Sequence, residues 1–194
     1  MQQSHDFIAT TIQANPNFIL SFNGGKDCTV VLDLLSKVCK DVIPCLYIKL
    51  PDTFNETESF IFNCCERYNM LLYTIHAKTI KLGLLKFLSL HNYSVIFIGT
   101  RSTDPHGKSM LPLQMTDKGW PGILRAHPIL NWNLKDIWDY ILQYNVKYCT
   151  LYDQGYSSIG HKSITKQNPA LLHDNKYLPA HSLCIDELER NGRQ

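Results

Sequence analysis

Charge is sparse in this chain. Only 19% of its 194 residues are Asp, Glu, Lys or Arg, and the net charge is +2. So mild a balance excludes nucleic-acid recognition by charge alone. A hydrophobic content of 44% excludes a disordered chain. Long apolar runs are missing too: none approaches the roughly 18–20 residues of a membrane span, so no membrane partner is expected. The opening stretch MQQSHDFIATTIQ lacks the basic segment and apolar core of a secretory signal. There are seven cysteines but no C-x-x-C, which removes the usual zinc and redox spacings. Their odd number and apolar settings read as mostly buried, reduced thiols, so a cytoplasmic location is expected. Internal repeats and low-complexity tracts are absent.

What is present is alternation. SHDFIATTIQ reads as a short helix with Ser4 or Asp6 near its cap. NFILSF reads as a buried strand, and KDCTVVLDLLSKVCK as a helix with Val31, Leu34, Leu35 and Val38 on one face. VIPCLYIKL, LLYTIHA and YSVIFIGT predict further strands. NETESFIFNCCERYN, with Asn55 as its cap, and KTIKLGLLKFLSLHN predict the helices between them. Arg101 to Trp120 reads as irregular, and ILRAHPIL as a short strand or turn. NLKDIWDYILQYN predicts an amphipathic helix, with Leu134, Ile137, Trp138 and Ile141 facing inward.

Strands alternating with helices imply an α/β fold: a doubly wound, mostly parallel sheet with helices on both faces. One domain over residues 1–194 is expected, with an α/β core at 1–147. An irregular segment at 148–194, rich in Tyr, Gly, Ser and Pro, would complete the site. Ligands of such sheets bind at the carboxyl ends of the strands. The loops after Phe22, Leu50 and Thr100 should therefore share one rim.

The loop Asn23-Gly24-Gly25-Lys26-Asp27 carries the chemistry. Asn-Gly between apolar runs can mark a hairpin, but the second flank here has helical spacing. A glycine-rich turn opening a helix presents backbone N–H groups and a positive dipole end to phosphate. Lys26 adds a charge, and Asp27 can hold a metal or bond the loop. The motif is not Walker A, which would need Gly at position 20 and Ser or Thr at 27, where Leu20 and Asp27 stand. Nor is it G-x-G-x-x-G.

The segment SFNGGKDC instead resembles the PP-loop of ATP pyrophosphatases, enzymes that cleave ATP between the α- and β-phosphates. Together with FNETESFI, GTRSTDP, KGWPGILRAHPILNWNLKDIWDYI, YCTLYDQGYSSIG and ELERNGR, the chain resembles the eukaryotic-type FAD synthetases (FMN adenylyltransferases) of the PAPS-reductase-like superfamily. The likeness runs from about residue 18 to 193. It implies an adenine nucleotide α-hydrolase-like fold and a reaction in which ATP and FMN give FAD and pyrophosphate. Mg2+ would be the cofactor. Apo-flavoproteins receiving FAD would be partners, alongside the small-molecule substrates.

The resemblance also implies roles. Ser21 and the backbone of Asn23, Gly24, Gly25 and Lys26 would hold the β- and γ-phosphates, with adenine near Ile48 and Lys49. Asp27 and Asp104 would bind Mg2+, with Asn23 as an uncharged helper. Arg101 would contact phosphate. Asp117 would accept from the flavin's polar edge, and Trp120 would stack on or wall the ring. Arg190 and Arg193 would reach back from the tail, Arg190 to the reacting phosphates and Arg193 toward the flavin nucleotide. His106, His127, His161 and His173 form no ligand spacing.

Two other readings share the loop. An adenylyl-sulfate or phosphoadenylyl-sulfate reductase needs a redox cysteine near the C-terminus, usually in Glu-Cys-Gly-Leu-His; the chain has SLCIDEL. A non-catalytic flavin- or nucleotide-binding module would not need the acidic pair and the tail arginines.

Overall fold

A computed structural model describes residues 1–193. The helices are α1 (Gln2–Ala14), α2 (Lys26–Val38), α3 (Asn55–Arg67), α4 (Ile80–Leu88) and α5 (Leu134–Gln143). The strands are β1 (Phe18–Ser21), β2 (Ile43–Lys49), β3 (Met70–His76), β4 (Val95–Phe97), β5 (Leu113–Met115) and β6 (Leu124–Ala126), with a small ribbon of β7 (Leu172–His173) and β8 (Lys176–Tyr177). Six strands form one sheet in the order β3-β2-β1-β4-β6-β5. All its pairings are parallel except β5 with β6.

Period-2 alternation in β1 builds both sides of the sheet. Phe18 and Leu20 point into the larger core, with α1, α2, α3 and α5. Ile19 points into a smaller core with Leu84 and Phe87 of α4, Leu46, Ile96 and Ile123. Helices thus cover both faces, as apolar strands in a parallel sheet require. The connection from β1 leads outward to β2 and β3, and β4 returns to the other side of β1. This reversal parts the loops that follow β1 and β4, opening a crevice at their carboxyl ends.

The structure corrects three local readings and adds a fourth feature. Helix α1 starts earlier, with Met1 as its N-cap. Ser4 lies buried inside the helix, where its Oγ accepts from Trp132 Nε1 at 3.2 Å. Asn55 is the first residue of α3 rather than its cap; Phe54 holds the cap position. The irregular stretch contains β5, an edge strand of three residues whose largely exposed side chains leave no alternation to read. Finally, α5 opens on an unanticipated capping box: Asn133 Oδ1 accepts from the Asp136 N–H at 2.8 Å, and Asp136 Oδ2 from the Asn133 N–H at 2.9 Å.

The chain after α5 runs through short 3-10 turns rather than long helices. Its backbone is tied to the loop after β2, where Asp52 Oδ2 accepts from the Ser163 N–H at 2.8 Å.

Candidate active site

The loop after β1 is folded by its own side chains. Gly24 has φ +74°, a conformation that costs glycine little, and a Cβ there would meet Thr57 and Ile61 of α3 at 3.0 Å. Asn23 Oδ1 accepts from the Gly25 N–H at 3.0 Å and lies 3.1 Å from Cys28 Sγ. The Lys26 N–H, an orphan donor of the first turn of α2, donates to Tyr152 Oη at 2.9 Å. From the other side, the chain leaving β4 passes very close. A Cβ on Gly99 would lie 2.7 Å from the Cys28 nitrogen, so only glycine fits.

Beneath the loop is a network of buried charge. Lys26 Nζ lies 2.9 Å from Asp27 Oδ2 and 2.5 Å from Glu189 Oε1. The Arg101 side chain is 0% exposed. Its Nε lies 2.9 Å from Asp27 Oδ1, its Nη1 2.8 Å from Asp186 Oδ1, and its Nη2 contacts Glu189. Asp186 Oδ1 also accepts the Leu134 N–H at 3.0 Å, which fastens α5 to the tail. Asp104 Oδ2 accepts the Arg101 N–H at 2.9 Å, and its Oδ1 stays 3.7 Å from Arg101 Nη2.

The neighbours set the protonation states. Burial opposes the charge on Lys26, but Asp27 and Glu189 outweigh it and hold the ammonium charged well above its usual range. Burial likewise opposes the charge on Asp27, and Lys26 and Arg101 outweigh it, keeping the carboxyl below its usual range. Asp104 moves the other way: burial raises it, the Arg101 N–H opposes, and Asp27 adds repulsion. Burial also pushes the Cys28 thiol up to about 12, so the loop holds no activated thiolate.

Above this network lies a cleft of about 550 Å³. Its lining includes the charged side chains of Lys26, Asp27, Asp104, Glu189, Arg190 and Arg193 and the apolar ones of Ile48, Ile80, Ile98 and Met110. The loops after Phe22, Leu50 and Thr100 all contribute to its lining. Arg193 lies against Gly160, and its Nη1 donates to Ser158 Oγ at 3.2 Å; Arg190 is exposed.

Of the residues expected at the site, Ser21, Asn23, Gly25, Lys26, Asp27, Ile48, Asp104, Arg190 and Arg193 line this cleft. Five do not. Gly24 is turned under α3. The Lys49 side chain pairs with Glu58 at 2.6 Å. Arg101 was expected to contact phosphate, but it is spent entirely on carboxylates below the loop. Asp117, 67% exposed, pairs with Arg125 at 3.0 Å, and Trp120 is exposed on the same turn between β5 and β6. That turn borders α4, where Gly119 approaches Lys81, the neighbour of cleft-lining Ile80. Sequence reasoning gave no role to Glu189, Asp186 or Tyr152. Glu189 and Lys26 are 163 positions apart, so no local pattern joins them.

No three His, Cys, Asp or Glu side chains cluster as a metal cage among the described residues. The donor set suits a different mode of binding. Mg2+ keeps several waters and needs only one or two carboxylates beside substrate phosphates. Asp104 faces the cleft with one oxygen lightly engaged, and the buried Asp27 Oδ1 has a charge contact but no hydrogen-bond partner. Within salt-bridge distance Asp27, Asp104, Asp186 and Glu189 meet Lys26 and Arg101, while Arg190 and Arg193 line the same cleft.

The family model of the phosphoadenosine phosphosulfate reductase domain matches residues 17–82 and 76–167. A probable FAD synthase of Schizosaccharomyces pombe is 40% identical over 187 residues, covering 90% of this chain and 70% of that protein. A probable FAD synthase of Caenorhabditis elegans is also 40% identical over 90% of the chain, which spans only 36% of that longer protein. Among solved structures, an FMN adenylyltransferase of Candida glabrata in complex with FMN and the ATP analogue AMPCPP superposes with a TM-score of 0.91 at 29% identity. It covers 99% of this chain and 89% of its own.

Proposed function

Because the chain belongs to the FAD synthase family, on the phosphoadenosine phosphosulfate reductase domain, we propose that it transfers AMP from ATP to the phosphate of FMN, giving FAD and pyrophosphate. One observation carries this reading. A single cleft is lined by the glycine loop, two tail arginines and the apolar side chains of Ile48, Ile80, Ile98 and Met110. That mixture suits substrates made of flat rings and phosphates.

The chemistry asks for little beyond position and charge. The nucleophile is the FMN phosphate, whose second pKa of about 6 leaves it an anion at pH 7. No general base is needed. The task is to bring two polyanions together and to stabilise the departing pyrophosphate. Ser21 and the loop from Asn23 to Lys26 hold the β- and γ-phosphates, and Ile48 walls the adenine. Arg190, exposed at the cleft, has reach for the reacting phosphates, and Arg193 sits nearer the wall formed by Ser158 and Gly160. Mg2+, held by Asp104 with Asp27 behind it, would offset the phosphate charge. Arg101 serves from beneath by fixing Asp27 and Asp104. Asp117 and Trp120, on the turn beside α4, receive the flavin.

The cysteines described do not favour a reductase reading: Cys184 does not line the cleft, and burial holds Cys28 as a neutral thiol. Among the described residues no helix is long and apolar enough to cross a membrane. The proposed setting is the cytoplasm, with apo-flavoproteins as recipients of FAD.

The test follows FAD and pyrophosphate together after mixing the purified chain with ATP, Mg2+ and FMN, with riboflavin in place of FMN as control. Equal amounts of FAD and pyrophosphate from FMN alone are expected. Nucleotide or flavin binding without product would favour a binding module, and no flavin dependence would return the chain to the wider PP-loop class.

A further inference from the structure

Glu189 is the least exposed carboxylate of the charge network, at 5%. One oxygen lies 2.5 Å from Lys26 Nζ and the other contacts Arg101 Nη2. It therefore joins the loop after β1 to the loop after β4 through one side chain. It is also held from behind. The Glu189 carbonyl accepts from Ser157 Oγ at 2.6 Å, and Ser157 accepts from Asn168 Nδ2 at 2.7 Å. Asn168 is fully buried and donates as well to the Leu188 carbonyl at 2.7 Å. The next residue is Arg190, and Arg193 lies three further on, both at the cleft.

This geometry is more than charge neutralisation. Lys26 already has Asp27 at 2.9 Å, and Arg101 already has Asp27 and Asp186. A further anion adds repulsion to a set that is already rich in carboxylates, and it lies where a polyanion must approach. What Glu189 adds is direction. It aims the Lys26 ammonium and ties the backbone that carries Arg190 to the first turn of α2.

Resting on the adenylyl-transfer reading, we infer that Glu189 is a positioning residue: it orients Lys26 and registers the tail arginines against the phosphate loop. It lines the cleft, but both of its carboxylate oxygens are engaged by Lys26 and Arg101, so it acts through them. Because it is an anion beside a polyanion site, its removal has two opposed effects. Lys26 becomes freer to attract ATP, and its alignment with the phosphates is lost. A residue that only stabilised the fold would not separate the two.

The experiment compares wild type, Glu189→Gln and Glu189→Asp for thermal midpoint, ATP dissociation constant and kcat for FAD formation. Glu189→Gln should lower kcat more than tenfold while binding ATP about threefold more tightly. Glu189→Asp keeps the charge but is one carbon shorter; it should return ATP affinity to the wild-type value and leave kcat reduced. A kcat within threefold of wild type in folded Glu189→Gln overturns the inference. So does ATP affinity that weakens in step with the midpoint, or wild-type behaviour of Glu189→Asp in both constants. Should Glu189→Gln fail to fold, Glu189→Asp decides by the same split. A wild-type chain that makes no FAD refutes the reaction instead. Glu189 is then judged by ATP affinity: threefold tightening in Glu189→Gln supports its role, and unchanged affinity overturns it.

Discussion

The phenol of Tyr152 accepts the backbone N–H of Lys26 at 2.9 Å, across 126 positions of sequence. A side chain from the C-terminal segment thus occupies a donor that a phosphate-binding helix turn would offer its ligand. Tyr152 is itself fully buried, with its ring edge-on to Trp138.

Removing that hydroxyl leaves a buried donor unpaired, which costs about 1–3 kcal/mol. Tyr152→Phe should therefore lower unfolding free energy by that amount in urea titrations at pH 7. Saturating ATP should narrow the gap between variant and wild type, since a phosphate oxygen can accept the freed N–H. A gap that ATP leaves untouched would place the phosphates elsewhere.

Asp104→Ala should cost kcat about 100-fold or more, the scale of losing one electrostatic contact to a reacting centre. The Arg101 N–H loses its acceptor, so some stability is lost too, but the protein should stay folded. Steady-state rates over a Mg2+ titration give the answer. Wild-type rates at saturating Mg2+ would take Asp104 out of the site.

Asp117 is exposed and bonded to Arg125, so its loss should not disturb the fold. Asp117→Ala is expected to weaken FMN binding about tenfold or more, the value of one hydrogen bond to a charged group. ATP affinity should be unchanged. Calorimetry with each ligand separates the two, and weakened ATP binding alone would mean that the flavin has been placed wrongly.

His127 supplies a pH dependence unrelated to catalysis. It is buried, neither ring nitrogen has a hydrogen-bond partner among the described residues, and burial, aided by Arg125, lowers its pKa to about 4. In the unfolded chain it takes a proton near 6.5, while the folded chain refuses it until about 4. Stability is thus fully present above about pH 6.5 and falls as pH drops toward 4, by at most about 3 kcal/mol at 1.36 kcal/mol per pH unit. Urea midpoints at pH 7 and pH 5 should differ in wild type, and His127→Leu should flatten that difference.

The core elements were legible because their signals are local. Val31, Leu34 and Leu35 mark one face of α2 wherever α2 lies, and β1 and β4 are apolar on both sides because helices cover both faces. The glycine loop was legible too, since its flanks change period from strand to helix. Edge strand β5 was not, because three half-exposed residues carry no period. Position in the chain put Lys49 and Arg101 near the rim, but only the folded structure shows the Lys49 side chain paired with Glu58 and the buried Arg101 paired with four carboxylates.

By itself the sequence determined the alternating α/β chain and the glycine-rich turn from β1 into α2, because each rests on neighbours within a few positions; the roles given to Arg190 and Arg193 came from the family resemblance alone. Only the tertiary structure decided that Glu189 bridges Lys26 and Arg101, that Tyr152 caps the loop and that Asp186 fastens α5. These contacts close over 52 to 163 residues. Buried charges choose partners by which loops the sheet brings together, and that order is set where β4 returns to the far side of β1.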